Sequence, residues 1–166
     1  MTKPILVFGY GNLSRGDDAV GPLLLAHLEQ HADLSRVELL TDFQLQIEHA
    51  LDLQERELVI FVDAAVSGDS PFGFSRLAPR RDNSYTSHAM SPAALLQVFE
   101  NITGEMAPPG FLLSIKTTSF ELGDGLSASA EDHLRQACRF AERILALPAR
   151  KILAAAEAYR ETASHW

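Results

Sequence analysis

Apolar and polar positions along this chain alternate between two periodicities. Residues 4–10 form a short apolar run closed by Gly9 and Gly11, and Leu58-Val59-Ile60-Phe61-Val62 forms a second, rich in β-branched residues. Runs of this length bounded by turn residues predict buried strands, the second of them central in its sheet. Val37–Leu40 reads as a further strand, Phe111–Ile115 as another, and the alternating Phe72–Leu77 as an edge strand. Between them the spacing turns helical. Leu23, Leu24, Ala26, His27, Leu28 and His31 recur at helix spacing, with Pro22 in the first turn, where its missing N–H costs nothing. A short helix is expected from about Gln44 to Leu53. Ser91-Pro92 is a strong helix start, followed by Leu95, Leu96, Val98 and Phe99 on one face. Ser129 through Asp132 has the form of a capping box ahead of Leu134, Ala137, Cys138, Ala141, Ile144 and Leu145. Strand, helix, strand, helix, strand is the order of a three-layer α/β sandwich on a mostly parallel sheet.

At 166 residues the chain is expected to be one α/β domain over 1–148, with 149–166 as a C-terminal helical tail whose partner is not visible. A net charge of −8 argues against nucleic acid and anionic membranes as partners. The single cysteine, Cys138, rules out an internal disulfide and a cysteine-based zinc site. The opening apolar run is too short for a signal-peptide core or a membrane span, so a reducing cytoplasm is the expected compartment.

In a parallel sheet every strand opens its carboxyl end on one edge, so residues that follow strands converge there. Asp17 and Asp18 follow the first strand, Asp63 ends the third, and His88 stands in the loop before the Ser91 helix. Two carboxylates and an imidazole make a mixed oxygen and nitrogen set suited to a borderline divalent ion such as nickel or zinc. The plainer readings stay open: an acid favouring a helix N-terminus, a loop-capping Asp63, a surface His88. A dinucleotide site is a rival, because Gly9-Tyr10-Gly11 begins the fingerprint and Asp42 could imitate the ribose-binding acid. However, Ser14 stands where the third glycine belongs, and two aspartates would repel a pyrophosphate. There is no nucleophile elbow, Cys138 lies on an apolar stripe, and His27 and His31 lack the glutamate order of a zinc peptidase.

Four segments in order resemble the [NiFe]-hydrogenase maturation endopeptidases: Gly9-x-Gly11-Asn12 with Gly16-Asp17-Asp18-x-x-Gly21, then Val62-Asp63-Ala64, then Ser87-His88, then Gly123-Asp124-Gly125-Leu126-Ser127. The resemblance spans about residues 4 to 147. It implies a five-stranded mixed sheet in an α/β/α sandwich, with Phe72–Leu77 as the antiparallel member. It also implies removal of a C-terminal extension from a hydrogenase large-subunit precursor after nickel has entered. Its metal-contacting residues fall on Asp18, Asp63 and His88, which would carry both catalysis and metal contact. The ion would be the precursor's nickel, or cadmium or zinc in crystals, with no organic cofactor. Asn12, Asp17 and Asp42 are expected as substrate contacts, and the enzyme is expected to act as a monomer. A non-catalytic nickel-binding scaffold is the alternative. Two segments depart from the family pattern: Thr41-Asp42-Phe43-Gln44 where many members carry Asp-Gly-Gly-Thr, and Lys116-Thr117-Thr118 where a proline is common.

Overall fold

The computed structural model describes residues 2–81, 90–118 and 125–163, with side chains as far as 156. Five strands form one sheet: β1 (Ile5–Tyr10), β2 (Val37–Asp42), β3 (Leu58–Ala65), β4 (Phe72–Leu77) and β5 (Gly110–Lys116). Their spatial order is β2-β1-β3-β5-β4. The β1–β2, β1–β3 and β3–β5 pairs are parallel, and β4 runs antiparallel to β5 on the edge. This is the expected α/β sandwich with a mostly parallel sheet. The second apolar run does lie in the middle, and it extends past Val62 to Ala65.

Strand alternation builds two cores. Ile5, Val7, Leu58, Ile60 and Val62 pack on one face, under α1 (Val20–His31) and α3 (Ala128–Leu145). Leu6, Phe8, Tyr10, Val59 and Phe61 pack on the other, under α2 (Pro92–Thr103) and a 3₁₀ segment at Ile47–Leu53. Both faces of the central strands are covered, so those strands read as continuous apolar runs. α2 begins as its sequence predicts: the Ser91 hydroxyl accepts the Ala94 N–H at 3.1 Å, with Pro92 in the first turn.

One element differs from expectation, and one expected helix gains a partner. The N-cap of α3 is Ser127, whose hydroxyl accepts from the Ala130 N–H at 3.2 Å, two residues ahead of the expected capping box. The C-terminal stretch forms α4 (Ala149–Ala163), and Ile152 on it is wholly buried in the α1–α3 core. At least the first turns of the tail therefore belong to the same core as the sheet.

Candidate active site

The site is built where β1 hands the chain to α1. A 3₁₀ turn over Gly16–Ala19 carries both aspartates directly into the helix. Three glycines let this turn close onto the strand ends. A Cβ on Gly21 would lie 2.8 Å from the Tyr10 carbonyl and 2.9 Å from that of Val62, so α1 rests against the backbones of β1 and β3. Gly9 faces Gly21 at similarly close range. Gly11 has φ +149°, and a Cβ there would sit 2.0 Å from the Asp18 carbonyl. No other residue fits under this turn. The spacing of glycines in the opening motif is therefore a packing requirement that delivers Asp18 to the end of the sheet.

The two aspartates separate sharply. Asp17 is completely buried. Its carboxylate accepts from the Thr118 N–H at 2.8 Å, the Ser127 N–H at 2.8 Å and the Ser127 hydroxyl at 2.9 Å. It thus clamps the end of β5 and the start of α3 to the first turn. Asp17, expected as a substrate contact, has no exposed surface, and these bonds tie its carboxylate to the protein's own backbone and hydroxyl donors. Asp18 is half-buried, and its Oδ2 accepts the Asn12 N–H at 2.7 Å. The Asn12 side chain in turn accepts the Ser14 N–H at 2.8 Å, so Asn12 shapes the loop that presents Asp18.

Asp63 stands near the end of β3 within reach of the Asp18 field. The Tyr10 hydroxyl donates to its Oδ2 at 3.0 Å and the Ala64 N–H to its Oδ1 at 2.8 Å. Burial, with a smaller push from the Asp18 charge, raises the Asp63 carboxyl to about 6 against the pull of these hydrogen bonds. The Tyr10 phenol is pushed far above its ordinary value, mainly by burial and then by the Asp63 charge, so it serves as a donor only. Asp42 ends β2 on the same edge, its oxygens taken by the Phe43 N–H at 2.7 Å and by His49 at 3.1 Å. Between Asp42 and the first turn, a groove of about 190 Å³ is lined by Gly11, Leu13, Pro22, Thr41, Asp42 and Phe43. A larger cavity of about 600 Å³ around Pro4, Arg36 and Pro148 opens at the amino edge of the sheet. It is far from the acids, at the wrong end of parallel strands for α/β chemistry.

His88 and the Gly123-Asp124 half of the last motif lie outside the described residues. Among the described residues no three His, Cys, Asp or Glu side chains are placed to hold an ion. His27 instead bonds Glu142 of α3, a tie between helices, and its ring lies tilted against that of His31 on its own helix at 4.4 Å. Cys138 is buried, its thiol pushed up to about 11, which leaves it inert at neutral pH.

No family model and no curated protein matches the chain. Solved structures do. The [NiFe] hydrogenase maturation protease HycI from Thermococcus kodakarensis KOD1 aligns at TM-score 0.65 and 23% identity, over 88% of this chain and 94% of that one. The hydrogenase 2 maturation peptidase from Thaumarchaeota archaeon SCGC_AB-539-E09 aligns at 0.64 and 23%, over 88% and 100%. These two show the fold. The hydrogenase maturating endopeptidase HybD from E. coli aligns at 0.65 with 27% identity, over 82% of this chain and 88% of that one. That identity stands alongside the ordered glycine and aspartate motifs. The chain resembles the [NiFe]-hydrogenase maturation endopeptidases in fold and in the order of its motifs.

The endopeptidases it resembles are peptide-bond hydrolases, and the likeness supports the same class of enzyme here. No helix among the described residues is long and apolar enough to cross a membrane. Sequence reasoning missed two contributors to the site. Tyr10 reads as one more apolar residue of a strand, its partner visible only once β1 and β3 are side by side; His49 reads as an isolated histidine until the 3₁₀ segment turns it back onto Asp42.

Proposed function

We propose that this maturation endopeptidase trims the C-terminal extension from a [NiFe]-hydrogenase large-subunit precursor after nickel insertion. The precursor's nickel would be met by Asp18, Asp63 and His88. The observation that carries the reading is the convergence of Asp18 and Asp63, 45 residues apart, at one sheet edge with Asp63 raised to about 6. A carboxyl poised there suits a base working near neutral pH. His88 precedes Ser91, the N-cap of α2, and α2 packs on the sheet face that Tyr10 shares. The ion is substrate cargo: it marks a loaded precursor and aligns its peptide bond. A site carboxylate takes the proton of the attacking water and returns it to the leaving amine. Cadmium or zinc would occupy the same ligands in a soaked crystal, and no organic cofactor is required. The enzyme would act as a monomer in the cytoplasm, with Asp42 and the Asn12 loop at the rim touching the precursor.

Incubation with nickel-loaded precursor tests this. A shortened product is expected, and Asp18→Asn, Asp63→Asn and His88→Ala are each expected to stay folded and leave the precursor intact. Tight binding without shortening would make the protein a scaffold. Normal cutting by all three variants would remove the site assignment.

A further inference from the structure

We propose that Tyr10 is a positioning residue of the maturation site, its phenol holding the Asp63 carboxylate in the orientation that serves the cleft. The proposal rests on the functional reading above and adds to it a residue outside the metal-contacting set.

The strand register places the two side chains together. Gly9 pairs with Val62 across the parallel β1–β3 ladder, so Tyr10 falls beside Asp63 on the same face of the sheet. Tyr10 is 7% exposed, and the ring is clamped by the core: Phe8 meets it edge-on at 6.3 Å, and Phe8 itself stacks on Phe61 at 6.4 Å. Phenylalanine would fill this space equally well. The hydroxyl must therefore be explained by its bond, because a buried phenol needs a partner and this one has chosen Asp63 at 3.0 Å.

The consequence is geometric. With Tyr10 on Oδ2 and the Ala64 N–H on Oδ1, each oxygen has one internal donor, and the plane of the carboxylate is set. Each oxygen keeps a further lone pair for an external partner, a cation or a water proton. Outer partners of this kind orient a ligand, and their loss commonly costs about 10–100-fold in affinity or activity. Without the phenol, Asp63 would be held by its neighbouring N–H alone and could swing about the β3 terminus.

The test uses the full chain, Tyr10→Phe, and a variant with 3-fluorotyrosine at position 10, which keeps the shape and the donor. On nickel-loaded precursor, Tyr10→Phe should lower kcat about 10–100-fold with KM unchanged, and the fluorotyrosine protein should behave as wild type. Separately, cadmium ion alone is titrated into the free protein and followed by equilibrium dialysis and tyrosine difference absorbance. Wild type should show a tyrosine band as the ion binds. Tyr10→Phe should lose that band and bind about tenfold or more weakly. If wild type cuts and Tyr10→Phe cuts with the same kcat and KM, the assignment is overturned. If wild type fails to cut, the functional reading falls, and the cadmium titration still decides Tyr10: equal affinity and no tyrosine band would overturn it. Failure of Tyr10→Phe to fold shifts the decision to the fluorotyrosine protein, whose tyrosine band must then be altered and follow cadmium occupancy; an unaltered band would overturn the proposal.

Discussion

At Asp63 two forces oppose each other, and their balance sets the chemistry of the site. Burial and the nearby Asp18 charge favour the protonated acid, whereas the Tyr10 hydroxyl and the Ala64 N–H favour the anion. The acid side wins, and the carboxyl rises to about 6. A folded value above the unfolded one means the native state binds the extra proton between about pH 4 and 6. Stability conferred by that proton is full below this window and lost as pH rises through it. Asp63→Asn removes the buried charge, so in EDTA it should unfold at higher urea than wild type at pH 8, by up to about 2–3 kcal/mol. The gap should close near pH 4 (about the unfolded aspartate value). Urea curves that stay parallel across this range would show that burial does not strain Asp63. Gly11→Ala is expected to go the other way, because its Cβ would collide with the Asp18 carbonyl at 2.0 Å. A loss of about 3 kcal/mol or more, together with loss of precursor cutting, should be seen. The same scale shows a limit of reading sequence. Asp17 and Asp18 are identical and adjacent, and composition offers no way to tell a wholly buried clamp from a half-buried site acid. The difference lies in what each meets more than a hundred residues away, Ser127 and Thr118 for Asp17.

Among the elements, strands and most helices were legible because their signals are local. β1 and β3 are apolar runs, the Ser91-Pro92 start is a capping pattern, and each matches the observed element to within a few residues. The start of α3 was not legible. Ser129 heads a sequence with the right local form, yet Ser127 is the cap, because its hydroxyl also donates to Asp17. A tertiary bond overrides a local preference here. Ser127→Ala removes the cap and one donor to a buried carboxylate at once, and should cost about 2–3 kcal/mol in unfolding free energy by urea denaturation. Combined with Asp17→Asn it should cost less than the sum of the single changes, since the pair shares one interaction. Full additivity would separate the cap from the clamp. The expected short helix near Gln44–Leu53 formed as a 3₁₀ segment over Ile47–Leu53, anchored by His49, whose ring accepts the Gln46 N–H at 2.8 Å and reaches Asp42.

For the whole molecule, α4 decides how much of the chain is one cooperative unit. Ile152 has no exposed surface and shares the core of α1 and α3, with Ala149 buried beside it. Ile152→Ala should therefore destabilise the entire fold by about 2–4 kcal/mol in a single transition. A separate early transition of the tail would instead make it an appendage. Apolar periodicity alone had already implied two covered sheet faces, a central third strand and an edge at Phe72–Leu77, because alternation and run length depend on neighbours in the chain. It was silent on which turns would meet at the carboxyl edge, which of two aspartates would be buried, and where the tail would dock. Those outcomes depend on backbones approaching closely enough that glycine is required, and on hydrogen bonds such as Ser127 to Asp17 that close across 110 positions. Such contacts exist only after the sheet has brought its strand ends together.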